Sequence, residues 1–589
     1  MVSFGSARNG KIHQVICRTK EAVAYELFEL EILVRDAEGN GFDPDSLRLD
    51  LLLTMPDGTC RSHPCFLYKK AHIDANGIYS TDDGAPPVWR ARITPPLAGN
   101  YSARLCLLEN SVESDSVALQ FTVAPAADTR GFLQVEKTVH KAFQFDNGQI
   151  FTPIGQNVCW DEKVNWKNHT SPETLDMYRT IFEKMHQYKA NWSRLWLSAE
   201  WDFGFFGKNR HTDDFTDVLH RAARLDDLLK LMEENEIYCV MVLFHHGIFN
   251  DGGANTDWAN NAFNVANPHG YLREPGEFFA DPRALKETKL YLRYMVARYG
   301  YSRHIFSWEL FNEVNFTAGD PDDIRKWHRT MTEELRRYDL HPHMVTTSSS
   351  VNRYPLIFDD MFDYINMHRY GDPGNPKMIA HEAYLAFHDF DRPILMEESG
   401  FDAYHPFTHY IARHQQIWVG LMANTPATAM EWFWGEWDRY TNGTDDPDYS
   451  YHDFAPAADF AALIPRRDPK QRFVTRERLA LNHARADVLG YNGTDYAYLW
   501  IYDAAYTVKS PDPVAIENVT MELWLENGDY IVRWFDTYTG IFFREDNCTV
   551  KGQFLRLSPP RFERDIAVAI QRVEPHPSQP LPSDRNGIR

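Results

Sequence analysis

HIFSWELFNEVN occupies residues 304–315. Ile305, Phe306, Trp308, Leu310 and Phe311 form an apolar run of strand length that ends in Asn312-Glu313. An ionised carboxylate inside a buried strand costs several kcal/mol unless it is paired. Glu313 therefore belongs at the mouth of a site or in a loop. Asp320-Pro321 then signals a helix start, since Asp caps and Pro loses nothing at the first helical position. A strand, a polar loop and a helix make one unit of an α/β barrel, which puts Asn312 and Glu313 at the C-terminal rim, where such barrels hold their chemistry.

The same alternation runs outward in both directions. Apolar strands are predicted at 150–160, 191–198, 237–247, 343–350, 363–371, 393–401 and 427–438. Helices are predicted to open at Ser171-Pro172-Glu173 and to cover 225–235, 285–299 (with Gly300 as the left-handed residue after the end), 324–335, 377–388 and 410–421. Counting the opening strand, eight such units in about 340 residues predict a (β/α)8 TIM barrel of the α/β class. A short β-ribbon over 132–150 precedes it.

The flanks have a different period. Between 10 and 125, short strands punctuated by Gly, Pro, Asn and Asp suggest a sandwich. In 88–95, Val88, Arg90 and Arg92 alternate with Trp89, Ala91 and Ile93. Strands return after 488. The expected domains are an Ig-like β-sandwich (1–127), the barrel (128–487), a small β-sandwich (488–575) and a Pro/Ser-rich tail (576–589). The N-terminal sandwich shows no catalytic cluster, and packing against the barrel is as good a role for it as sugar binding.

The net charge of −22 argues against a nucleic-acid partner. Aromatics at 14%, with 16 Trp, hint at flat-ligand binding, although large aromatic cores explain much of the excess. No run of roughly 20 apolar residues spans a membrane. The start MVSFGSARNGK lacks an apolar signal core, so the expectation is a cytoplasmic protein, with a secreted protein shorn of its leader as the alternative. Seven scattered cysteines without a CxxC pair suggest neither a disulfide framework nor a zinc site. The Asn191-Trp192-Ser193 triplet falls in a predicted strand and reads as chance.

Two carboxylates stand at strand ends, Glu313 and Glu398. Hydrolysis of a glycosidic bond needs such a pair, one protonated to assist the leaving oxygen and one ionised to attack or to activate water. Trp160, Tyr370, Trp432 and Trp434 at rim positions suit the apolar face of a sugar.

These motifs, in this strand order, resemble the retaining β-glycosidases of glycoside hydrolase clan A, most closely the family 5 branch of cellulases and β-mannanases. The resemblance covers roughly residues 145–485. WELFNE (308–313) resembles the strand-four motif, implying Glu313 as acid/base and Asn312 as its substrate-holding neighbour. PILMEESG (393–400) resembles the strand-seven motif, implying Glu398 as nucleophile, although ESG replaces the commoner aromatic-Gly ending. Arg194 matches the strand-two arginine, and His245 or else His246 the strand-three histidine. His368 and Tyr370 match the strand-six pair, and Trp434 or Trp432 the strand-eight platform. The resemblance implies an oligosaccharide or glycoside substrate and neither cofactor nor metal. Oligomeric state is left open, with association through the sandwich domains one arrangement. Exo action or cleavage of short oligosaccharides is expected, with an endo-β-mannanase or glucanase as the alternative.

Each residue also has a plainer reading. Glu309 is expected to be a buried structural acid, paired with Arg194 or a histidine. Strand alternation is expected to turn Glu397 to the face opposite Glu398. It should likewise separate His245 from His246, which argues against a metal there. His368 and Trp432 could be core residues. The competing classes are a sugar-binding protein that has lost catalysis and a metal-dependent hydrolase using His245, His246 and His368.

Overall fold

The structure is a computed structural model. It describes residues 9–573 except 83, 162, 164–172, 199–201, 253–255, 352–353, 372–389, 402–408, 433–445 and 447. The expected helix 377–388 and the second half of the expected strand 427–438 lie outside the described residues.

Near the N-terminus, two four-stranded antiparallel sheets share one apolar core. In the strand Val88–Ile93, Trp89, Ala91 and Ile93 point into that core. Arg90 and Arg92 point the other way, and that face is covered as well. Arg92 Nη1 reaches Asp226 at 2.6 Å and its Nε reaches Glu29 at 2.5 Å. Arg298 donates to the same Asp226 at 2.6 Å. The outer face of this sheet is thus fastened by a charge pair to Asp226 on one helix of the central region, which Arg298 ties to a second helix.

That region is mixed α/β. Its parallel strands are β1 (Gly155–Asn157), β2 (Trp192–Trp196), β3 (Tyr238–His245), β4 (Ile305–Asn312), β5 (Met344–Thr346), β6 (Ile365–Gly371) and β7 (Ile394–Phe401). β1 to β5 pair in sequence order, and Ser348–Ser349, β6 and β7 form a second parallel sheet. Segment 427–432 bonds to both ends of this series. Met430 N–H donates to Met396 and Ser399 N–H to Met430, while Asn157 N–H donates to Glu431. Continuous apolar runs such as β3 suit strands covered on both faces.

The helices are α1 (Asp176–Gln187), α2 (Leu219–Glu234), α3 (Pro282–Tyr299), α4 (Pro321–Tyr338), α5 (His409–Met422) and α6 (Phe454–Ala461). At the starts of α3 and α4, the carboxylates of Asp281 and Asp320 each accept two backbone N–H bonds from the first turn, with Pro in the next position. α1 begins later than expected: Glu173 has φ +55° and the helix starts at Asp176, while Ser171 and Pro172 lie outside the described residues. Gly300 is not left-handed, with φ −62°. Glycine is required there for space, because a Cβ would lie 2.7 Å from the Val296 carbonyl oxygen.

The expected strand 150–160 is two elements. Ile150–Phe151 completes a ribbon with Leu133–Val135 and Phe143–Phe145, and β1 begins only after Pro153. The ribbon's Leu133, Phe143, Phe145 and Phe151 pack into one core with Trp192, Tyr238, Val240, Phe306, Met344, Tyr364, Leu395 and Met430. The N-terminal halves of the parallel strands are thereby filled with side chains and capped, and polar groups sit towards the other end.

After α6 the chain returns to antiparallel strands. A six-stranded sheet and a two-stranded one share a core of their own. The sheet takes its first strands from Arg472–Thr475 and Ala486–Asn492, so it begins before the expected boundary at 488. Among the described residues, no helix is long and apolar enough to cross a membrane.

β1 passes so close to β2 that a Cβ on Gly155 would lie 1.6 Å from the Trp192 carbonyl oxygen. Gly155→Ala must push the two strands apart and should cost about 1–3 kcal/mol as overpacking. Urea denaturation of the variant should show the loss, and an unchanged midpoint would contradict this packing.

Candidate active site

Arg194, the third residue of β2, is fully buried, and its guanidinium is divided among three acceptors. Nε and Nη2 donate to Glu309 at 2.7 and 2.9 Å. Nη1 donates to Glu398 Oε1 at 2.6 Å, and Nη2 also donates to Asn312 Oδ1 at 2.6 Å. A buried guanidinium needs its charge matched and its donors used. The neighbouring carboxylates overcome the effect of burial and hold its pKa well above the ordinary value. Glu309 is therefore the bidentate structural partner of Arg194.

Glu398 receives two further hydrogen bonds. Tyr370 donates its hydroxyl to Oε2 at 2.8 Å, and His368 Nδ1 lies 3.2 Å from the same oxygen. Burial alone would raise the Glu398 pKa, but His368, Arg194 and these bonds outweigh it and lower it to about 2. Burial would likewise lower His368, but Glu398 and the bonds to both acids raise it to about 9. Glu398 is held ionised beside a protonated imidazole.

The same Nδ1 lies 3.2 Å from Glu313 Oε1. The nearest ligand atoms of Glu313, His368 and Glu398 fall within 4.8 Å of one another. Glu313 follows β4 in a left-handed conformation, φ +47° and ψ +51°. Such a backbone costs about 1–3 kcal/mol in a residue with a Cβ and persists only where its surroundings fix it. Ser348 Oγ accepts the Glu313 N–H at 2.9 Å, and the Glu313 carbonyl accepts from Phe316 N–H at 2.9 Å. The carboxylate is thereby turned out of the strand end toward His368.

Glu397 does not face away from Glu398. Along β6 and β7, Met367 pairs with Met396 but His368 pairs with Glu398, so Glu397 is an extra residue. This bulge resets the side-chain alternation and turns both acids inward. The Tyr364 hydroxyl lies 2.7 Å from Glu397 Oε1, and Asn366 Nδ2 donates to Oε2 at 2.6 Å. Burial and the charge of Glu309 hold the Glu397 pKa well above the carboxylate range.

His245 ends β3, and His246 starts a 3-10 turn, so alternation does not govern the pair. His245 Nδ1 lies 2.6 Å from Ser198 Oγ, and its ring stacks on Trp196 with centroids 4.8 Å apart. His246 Nδ1 lies 3.2 Å from Asn312 Nδ2 and 3.7 Å from Glu313 Oε2. Trp160, Trp196 and Trp432 surround one another with centroids 5.0 to 5.5 Å apart. Trp434 lies outside the described residues.

Arg194, His246, Asn312, Glu313, His368, Tyr370 and Glu398 therefore converge on one place, with His245, Trp160 and Trp432 beside it. Among the described residues, Glu313, His368 and Glu398 are the group with spacing for a metal ion, rather than the three histidines. Arg194 hydrogen-bonded to Glu398 and a protonated His368 both oppose a cation there. Sequence reading missed Trp196, Tyr364 and Asn366. Each sits two or four residues along a strand from a residue already chosen, Trp196 after Arg194 and Tyr364 and Asn366 before His368. Period-two alternation would have found them.

No family model matches the chain. The curated "Probable mannan endo-1,4-beta-mannosidase A" of Aspergillus clavatus is 24% identical over 198 residues, which are 29% of this chain and 52% of that protein. The chain thus spans about half the length of the curated relative it matches. A solved candidate glycoside hydrolase of Bacteroides vulgatus superposes with TM-score 0.60 at 14% identity, covering 94% of this chain and all of that one. A family 5 glycoside hydrolase of the same organism gives TM-score 0.50 at 12% identity, covering 75% of this chain and 94% of its own. The chain shares the fold of solved glycoside hydrolases.

His368 couples the site to pH. Its folded pKa is raised to about 9. The stability it contributes is therefore complete below the ordinary value near 6.5 and is lost as pH rises through about 9. The melting-temperature advantage of the native protein over His368→Gln should shrink across that window. A difference that stays constant from pH 6 to pH 10 would contradict the bridging imidazolium.

Proposed function

We propose that the chain is a retaining β-glycosidase of the clan A type, with Glu398 as nucleophile and Glu313 as acid/base. The observation that carries this reading is one imidazole nitrogen 3.2 Å from each of two buried carboxylates, only one of which also faces Arg194 and Tyr370. Two neighbouring acids, one of them held ionised by Arg194, Tyr370 and His368, are what double displacement needs.

In the first step Glu398 attacks the anomeric carbon, forming a glycosyl ester as the bond to the leaving oxygen breaks. Glu313 gives that oxygen its proton. In the second step Glu313 takes a proton from water, the water oxygen attacks the same carbon, and Glu398 is released as a carboxylate. Arg194 and Tyr370 steady the charge of Glu398 between steps. Asn312, placed between Arg194 and His246, has the position to meet a sugar hydroxyl. Trp160, Trp196 and Trp432 offer faces for sugar C–H groups.

The architecture proposed with this reading is a closed (β/α)8 barrel from 128 up to the strand Arg472–Thr475, with β-sandwiches over 1–127 and from that strand onward. The shared core beneath the strands and the hydrogen bonds from 427–432 to both β7 and β1 support it. The substrate class is a β-linked oligosaccharide of plant or microbial type, attacked at an end or as a short chain. Segment 247–280 supports the short-substrate reading. Phe249 packs on Phe278 at 3.9 Å, and Asn261, Asn264 and Asn267 bond to backbone carbonyls, so the described part of this loop from 256 to 280 is built as a fixed wall. The partial match to an endo-mannosidase favours endo cleavage of mannan as the second reading. A rapid viscosity drop in mannan would select it.

The first product observed by NMR should be the β anomer, as expected when the carboxyl groups stand about 5–5.5 Å apart rather than roughly 6.5–9.5 Å. An α product would refute the mechanism.

Glu398→Gln should fold normally and lose about 10⁴-fold or more in kcat. Glu313→Ala should retain turnover of aryl glycosides with good leaving groups, and azide should accelerate it. Azide rescue with retained configuration in the Glu398 variant instead would reverse the two roles.

A further inference from the structure

The mechanism above makes no use of Glu397, although it is fully buried beside the nucleophile. We propose that Glu397 is a positioning residue that keeps its proton throughout the reaction and so lets one guanidinium serve Glu398. The proposal rests on the glycosidase reading for its kinetic consequences, but the protonation state stands without it.

Three observations carry it. The first is the charge count. Glu397 is faced by Arg194 from β2, Cys239 from β3, Glu309 from β4, Tyr364 and His368 on and beside β6, and Glu398 on its own strand. Arg194 is already shared by Glu309 and Glu398, and the His368 imidazolium by Glu398 and Glu313, so a further buried anion would be unmatched.

The second is the allocation of donors. Arg194 gives its short bonds to Glu309, Glu398 and Asn312, and its closest approach to Glu397 is 3.8 Å. Among the described residues, the partners within hydrogen-bond reach of the Glu397 carboxyl are neutral, Tyr364 and Asn366. The third is a place for the proton. Asn366 occupies Oε2 as donor, which leaves Oε1. The Tyr364 hydroxyl beside Oε1 also lies 2.8 Å from Ser307 Oγ, where either atom can donate. A protonated Oε1 donates to Tyr364, and Tyr364 turns to donate to Ser307.

This arrangement has a function. An ionised Glu397 would compete with Glu398 for Arg194 and weaken the field that keeps the nucleophile charged. As a neutral acid, tied down by Tyr364, Asn366 and the backbone bond from Asn157 Nδ2 to the Glu397 carbonyl at 2.9 Å, it fixes the bulge that aims Glu398.

Infrared difference spectroscopy on the resting full-length protein at neutral pH tests this. Native minus Glu397→Gln should show the loss of one protonated-carboxyl carbonyl band, which Glu313→Gln does not remove. Tyr364→Phe, which deletes the acceptor, should move that band to higher frequency. Loss of ionised-carboxylate bands in Glu397→Gln, or an unmoved band in Tyr364→Phe, would overturn the proposal.

In kinetics, Glu397→Gln should lower kcat/KM by no more than about tenfold, while Glu397→Leu should lower it by about 100-fold or more because Tyr364 and Asn366 lose their partner. Equal losses in the two variants would also overturn it. If no glycoside is turned over and the infrared bands still behave as stated, the glycosidase reading fails while Glu397 remains a neutral acid.

Discussion

The guanidinium of Arg194 is the constraint on which the site depends. A buried cation of this kind costs several kcal/mol unless its charge and donors are all answered. Glu309 answers it from the neighbouring interior, Glu398 from β7 and Asn312 from the end of β4. Two strands distant in sequence, β4 with Glu309 and Asn312 and β7 with Glu398, are therefore registered against one planar group carried by β2. Moving any of them by a residue would leave either an unmatched charge or an unpaired donor.

The rest of the fold places this polar cluster toward the C-terminal ends of the parallel strands. Aromatic and aliphatic side chains fill the N-terminal halves of the parallel strands, and the ribbon over 133–151 seals them from below. Charge can therefore collect only toward the opposite end. There the backbone departs from regular strand twice, at the bulge before Glu398 and at left-handed Glu313. Both irregularities aim a carboxylate, and local strain of this kind is commonly stored where chemistry is done.

The parts that sequence made legible were those governed by short-range rules. Asp281-Pro282 and Asp320-Pro321 announced helices, and both carboxylates cap as their chemistry requires. The run Ile305–Asn312 was visible as a buried strand because every residue in it is buried. That Glu309 needs a partner followed from the cost of a lone buried acid, and of the two kinds expected, Arg194 or a histidine, it is Arg194. The failures came where one residue changes the count. Alternation sent Glu397 outward because a bulge leaves no mark in composition. Residues 150–160 looked like one strand, yet Pro153 divides them. Gly300 looked like a left-handed terminator, but its glycine serves a close approach to Val296, and such packing needs coordinates. Trp196 lies two residues after Arg194 on the same strand, so period-two alternation places it on the same face.

The central claim is that Glu398, and not its equally buried neighbour, forms the covalent bond to sugar. Incubation with a 2-deoxy-2-fluoro glycoside bearing a good leaving group, followed by proteolysis and fragmentation of the labelled peptide, tests it directly. The mass of one fluoro-sugar should reside on Glu398. A label on Glu397, or a turnover-competent enzyme that accumulates no covalent adduct, would contradict the account.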